Sequence, residues 1–124
     1  MEPRRDSIVI GGISFLIEVV ERDGGWTAAA RREDTGDRYG PSISAPTPEE
    51  AAEQLIGWID WQREHASALE ALQAAEAAYQ RVVASSAFHA GPDGSPPAEF
   101  LRDALARVEE SRVRLDEVRQ RRPA

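Results

Sequence analysis

The chain is organised around residues 47–85, TPEEAAEQLIGWIDWQREHASALEALQAAEAAYQRVVAS. Thr47 is placed to cap a helix, Pro48 follows at the first helical position, and Glu50 has the capping-box spacing from Thr47. After this start, Gly57 is the one helix-weakening residue up to position 85. We therefore predict a single long helix, with two helices broken near residues 65–67 as the alternative.

The long helix has two differently directed apolar faces. The first face is predicted to cover a sheet and consists of Ala52, Leu55, Ile56 and Ile59. The second face follows alternating steps of three and four residues, as in helix–helix packing, and consists of Trp58, Trp61, His65, Leu69, Leu72, Tyr79 and Val83.

The residues before the helix predict an antiparallel meander of three or four strands. Alternating apolar and β-branched residues place strands at 7–10, 13–22, 26–33 and 38–45. The glycines of Gly11-Gly12 and Asp23-Gly24-Gly25 suit tight hairpins, and residues 34–37 form a third turn. Pro41 assigns the last strand to an edge of the sheet. One face of this meander must be covered, and the long helix comes next in the chain.

A second helix is predicted at 97–122, after a loop at 86–96 that contains His89. Its length lets it fold back along 61–85 as an antiparallel hairpin, which places Phe100 near Val83 and either Arg119 or Arg122 over Trp61. The heptad seam of this helix consists of Leu101, Ala104, Val108, Ser111, Leu115 and Val118.

The predicted fold class is therefore α+β. Residues 1–60 form the meander with the first part of the long helix, and residues 61–124 form the helical hairpin. We predict that the two parts make one continuous structural unit.

Composition narrows the functional classes. The 124 residues carry a net charge of −7 with a pI near 4.8, which argues against nucleic-acid binding. Cysteine and lysine are absent, so thiol chemistry, a Schiff-base lysine and a phosphate-loop lysine are excluded. We expect no cofactor, no metal and no catalytic residues, since the two histidines lie on separate elements. The sequence has no candidate membrane span and fits a cytoplasmic protein.

Residues 13–60 resemble the small HicB-like antitoxin domain. The resemblance rests on the hairpin Asp23-Gly24-Gly25-Trp26 and the helix start Thr47-Pro48-Glu49-Glu50-Ala51. The resemblance implies only the fold, with the elements in the order β-β-β-α. An acidic helical hairpin stands where that family has its C-terminal DNA-binding domain.

Three functions are consistent with these patterns. The first is a non-enzymatic protein–protein interaction or regulatory module, expected to be a homodimer that associates through its helices. The second is an acidic inhibitor, an antitoxin or immunity protein that neutralises a basic partner protein. The third is a small-ligand binder or an unrecognised enzyme with a pocket near Trp58, Trp61 and His65. The candidate partner-binding residues are Trp58, Trp61, His65, Tyr79, Arg119 and Arg122.

Overall fold

The computed structural model describes residues 4–88 and 98–123 and shows an α+β fold, as predicted. The chain divides into two compact units. The sheet unit comprises residues 1–63 together with 122–124, and the helical unit comprises residues 64–121. The predicted loop at 86–96 and its His89 lie largely outside the described residues.

The sheet unit is built on four antiparallel strands in the order β1-β2-β3-β4. Both β2 and β4 have the predicted bounds, and β3 is shifted toward the N-terminus by one residue. The predicted strand 7–10 is too short, because β2 is long enough for Arg4 to pair with Val19 and extend β1. The strands are β1 Arg4–Ile10, β2 Ile13–Arg22, β3 Gly25–Arg32 and β4 Arg38–Ala45.

The first two hairpins have the predicted tight turns. Gly11 and Gly12 have φ angles of +59° and +79°, and Asp23 and Gly24 have φ angles of +52° and +80°. A two-residue hairpin turn of type I′ requires positive φ angles at both of its central residues. Gly25 is the first residue of β3 rather than part of the second turn.

A bulge in β4 makes room for an aromatic side chain from the helix. The pairing shifts between Ala28 and Ala30, which oppose Ile43 and Tyr39 of β4. Within this shift Gly40 has a φ of +80°, and a Cβ atom at this position would lie 2.7 Å from Trp58 Cζ3. Glycine at position 40 is therefore required both by the backbone conformation and by the tryptophan.

The core of the sheet unit lies between one face of the sheet and the first turns of the long helix. Phe15, Ile17, Leu55 and Ile59 are its largest fully buried side chains. The prediction that Leu55 and Ile59 face the sheet is confirmed. It omitted a third buried helix residue, Ala51, whereas the predicted Ala52 and Ile56 are half-buried.

The long helix, α1, spans Pro48–Phe88 without a break. At its start, the Glu50 N–H donates to Thr47 Oγ1 over 3.2 Å, which is the predicted cap. The carboxylate of Glu49 accepts a hydrogen bond from Arg4 at 2.8 Å, and this bond lowers the Glu49 pKa below its ordinary value. The predicted loop begins too early, because α1 continues to Phe88.

The second helix, α2, spans Ala98–Gln120, one to two residues shorter at each end than predicted. Within the helical unit α2 packs antiparallel to α1, since Arg121 meets Glu64 whereas Arg114 meets Ser67. The predicted seam of α2 is confirmed. Its buried residues are Val108, Leu115 and Val118, and its half-buried residues are Leu101, Ala104 and Ser111.

The seam of α1 in the helical unit differs from the prediction by one position at two sites. Ala68 is fully buried, whereas the predicted Leu69 is half-buried. Val82 is half-buried and Val83 is 38% exposed. The prediction favoured the larger side chain over its alanine neighbour in the first case, but helix geometry decides which residue faces α2.

Gly40 provides a test of the contact between β4 and the helix. We expect Gly40→Ala to destabilise the sheet unit by about 1–3 kcal/mol more than Gly36→Ala, measured by urea unfolding. Gly36 is the matched control because its φ is +75° and nothing lies within 4 Å of its Cβ position. Equal losses for the two variants would show that the Trp58 contact adds nothing to the backbone cost.

Val108 provides a test of the α2 seam. Val108 is 3% exposed and Val113, on the same helix, is 57% exposed. We expect Val108→Ala to lower the free energy of unfolding by about 2 kcal/mol, through lost burial and a residual cavity. We expect Val113→Ala to change it by less than about 0.5 kcal/mol. Similar losses of unfolding free energy for the two variants in chemical denaturation would contradict the assignment of Val108 to the seam.

Candidate interaction surfaces

Trp58 belongs to the sheet core rather than to the second stripe of the helix. It packs against the buried core cluster, and its ring meets that of Tyr39 edge-on at a centroid distance of 6.2 Å. Tyr39 in turn lies 4.9 Å from the ring of Phe15. The prediction that Trp58 begins the stripe leading to Tyr79 is therefore wrong, because the β4 bulge provides a site for the indole on the sheet.

Trp61 pairs with an arginine from the end of the chain. The guanidinium carbon of Arg122 lies 5.8 Å from the centroid of the Trp61 ring, within the range of a cation–π contact. This confirms the predicted pair, with Arg122 rather than Arg119 as the cation. Trp61 is half-buried and Arg122 is exposed.

The arginines near the end of α2 bond to polar residues of α1 within the helical unit. Arg121 forms an ion pair with Glu64 at 2.7 Å. Arg119 Nε lies 3.4 Å from His65 Nε2, so the histidine accepts the bond at that nitrogen. Both contacts join the end of α2 to α1 within the helical unit. They also engage two predicted partner-binding residues, His65 and Arg119, in bonds within the chain.

Tyr79 is half-buried along the seam of α1 in the helical unit. The six predicted partner-binding residues are thus placed in different surroundings. Trp58 packs on the sheet, Trp61 and Arg122 form one pair, His65 and Arg119 form another, and Tyr79 lies in the helix seam.

A shallow apolar groove runs between α1 and α2 in the helical unit. Its floor consists of small residues, and Phe100, at its rim, is 57% exposed. Sequence reasoning expected Phe100 near Val83, whereas the structure places it in the groove with Val82. The groove is lined by Ala75, Ala78, Val82, Phe100, Asp103, Ala104 and Arg107.

The outer face of α2 carries an acidic surface that is separate from this groove. Val113, which is 57% exposed, is surrounded there by Glu109, Glu110 and Glu117, with Arg114 as the accompanying cation. The exposed valine gives this acidic surface an apolar centre.

The face of the sheet opposite the core presents three arginines around a concavity. Arg22, Arg31 and Arg38 line it together with Glu18, Thr27 and Ser42. Sequence reasoning missed this cluster. The signal available was an arginine on each side of the third turn, but the pairing of those two positions depends on the register of β3 with β4.

Over residues 4–88 and 98–123, no three histidine, aspartate or glutamate side chains are grouped to hold a metal ion. Across the same residues, no helix combines the length and apolar character needed to cross a membrane.

No protein family model, curated protein or solved structure matches this chain. The resemblance of residues 13–60 to the HicB-like domain accordingly stays a prediction.

Proposed function

We propose that this chain is a non-enzymatic protein–protein interaction module that self-associates through its helical unit. The observation that supports this proposal is the combination of Phe100 with the small-residue groove beside it. Phe100 is a large aromatic side chain that is 57% exposed, and aromatic residues are enriched at protein interfaces relative to the rest of the surface. A cytoplasmic location is part of the proposal, since the chain has no cysteine.

The narrow core of the helical unit gives a reason for association. Its buried apolar residues in the described structure are Ala68, Val108, Leu115 and Val118, a small set for two helices. Pairing two such hairpins into a four-helix bundle buries further apolar surface. The energetic gain is about 25 cal/mol for each Å² of apolar surface removed from water.

The composition of the groove supports a two-fold dimer, because a large exposed side chain lies beside small ones. In such a dimer the same patch is used by both copies, so a protruding group must meet a recess in that patch. Phe100 is the protruding group, and the alanine floor around Ala78 is the recess. A second copy therefore offers a recess of matching chemistry for each Phe100.

Phe100 is the residue that tests self-association. We expect Phe100→Ser to weaken dimerisation on the order of 100-fold or more, because two phenyl groups, each worth about 1.5–3 kcal/mol, lose their burial. The measurement is sedimentation equilibrium over a range of protein concentrations, with circular dichroism to verify folding. Val113→Ser is the matched control, since Val113 has the same exposure on the same helix and lies outside the groove.

Two results would contradict the proposal. A wild-type chain that stays monomeric at all concentrations would exclude self-association. Equal weakening by Phe100→Ser and Val113→Ser would exclude the groove as its location.

The outer face of α2 favours the acidic inhibitor as the second candidate function. Glu109, Glu110 and Glu117 surround Val113, an arrangement that suits a basic partner surface with an apolar centre. Complementary charge at such a face acts mainly on the rate of association and on the choice of partner.

A basic peptide tests this second candidate. We expect fluorescein-labelled decalysine to bind at low salt and to bind at least tenfold more weakly to Glu110→Gln/Glu117→Gln, measured by fluorescence anisotropy. Glu70→Gln/Glu76→Gln is the matched control, because it removes the same charge from exposed positions of α1. Equal loss in both variants would show that decalysine senses net charge and not this face.

A further inference from the structure

The open face of the sheet places two arginines directly opposite each other. In the register of β3 with β4, Arg31 pairs with Arg38, so both side chains project from the same face. Like charges in directly opposed positions destabilise an antiparallel pair. On the other side of Arg31, Leu16 of β2 is its directly opposite partner, so Leu16, Arg31 and Arg38 form one row across three strands.

Neither arginine is neutralised within the part of the chain that the structure describes. Arg31 donates to the backbone oxygen of Gly36 at 3.2 Å, and Arg38 donates to the hydroxyl of Ser42. Both acceptors are uncharged. Arg32, by contrast, forms an ion pair with Asp34 at 2.7 Å, which lowers the pKa of that carboxyl group.

Two carboxylates on this face have partners other than these arginines. Glu18, which lines the same concavity, lies 3.6 Å from Arg5, and Glu33 accepts a hydrogen bond from the hydroxyl of Ser7. Arg22, at the end of β2, adds a third exposed cation with no carboxylate within ion-pair distance among the described residues. Among the described residues, three guanidinium groups without an ion-pair partner thus line one concavity beside Glu18, in a chain with a net charge of −7.

The surroundings of these cations indicate which anion they suit. Guanidinium groups bind carboxylates through paired hydrogen bonds. Beside them the half-buried side chains of Val20 and Ala29 form an apolar floor, which suits a segment carrying apolar groups as well as acidic ones. At physiological ionic strength the screening length is about 8 Å, so a docked segment responds mainly to the charges that line the concavity, which are three arginines and the one carboxylate of Glu18.

We propose that the face formed by Arg22, Arg31 and Arg38 is a docking surface for an acidic segment of a different protein. The surface is distinct from the Phe100 groove, and partner binding does not depend on self-association. The like-charge pair of Arg31 and Arg38 is maintained because the partner's carboxylates neutralise it on binding.

A charge-removal pair of variants tests the docking surface in the full chain. The probe is fluorescein-labelled decaglutamate, followed by fluorescence anisotropy at several sodium chloride concentrations. We expect Arg31→Gln/Arg38→Gln to weaken binding at least tenfold and to flatten its salt dependence. We expect Arg102→Gln/Arg112→Gln, which removes the same charge from exposed positions of α2, to weaken binding less than twofold.

Three further readouts keep the experiment decisive. The Arg31→Gln/Arg38→Gln variant should melt no lower than the wild type, since it removes a like-charge pair. Its oligomeric state should match that of the wild type, and a loss of self-association would overturn the proposal by making the face a self-interface. Absence of decaglutamate binding, or equal loss in both variants, would also overturn it. Displacement of the peptide by inorganic phosphate at the same concentration of anionic groups would show a general anion site and overturn the assignment to a protein segment.

Discussion

The space that Trp58 occupies above the sheet is the constraint on which the sheet unit depends. Because the indole lies where a side chain of residue 40 would project, that residue is glycine and β4 bulges around it. The neighbouring strand carries Ala28 and Ala30, both fully buried, beneath the same helix. The alanines of β3, the large side chains of Phe15 and Ile17 on β2 and those of the helix together fill the core, as close packing requires.

The sequence predicts those parts of the fold that local chemistry determines. Hairpins and the helix cap follow from local chemistry, such as positive φ at Gly11 or the Thr47 hydroxyl, and the structure confirms them. The α2 seam follows from a regular heptad spacing and is also confirmed. The buried alanines of α1, Ala51 and Ala68, were missed because alanine gives a weak signal in a hydrophobic pattern, and the neighbouring element decides whether it is buried.

Some features of the candidate surfaces could likewise be predicted from the sequence, and others required the structure. The contact of Arg122 with Trp61 could be predicted, since helix lengths alone bring the two ends of the hairpin together. The assignment of Trp58 to the second stripe was wrong, because only the bulge reveals its place on the sheet. The row containing Arg31 and Arg38 requires the strand register, and the Phe100 groove requires knowing which alanines of α1 lie beside α2.

The two proposed interfaces depend on different physical forces. Burial of Phe100 is an apolar effect, which salt screens little, whereas docking on Arg31 and Arg38 is electrostatic and weakens as ionic strength rises. Each surface lies within one compact unit, so each can be altered by substitution without removing a residue of the other. Self-association and recognition of an acidic partner are therefore separable properties of this chain. Ionic strength is the variable that distinguishes them, because it acts on the arginine face and leaves the apolar groove nearly unchanged.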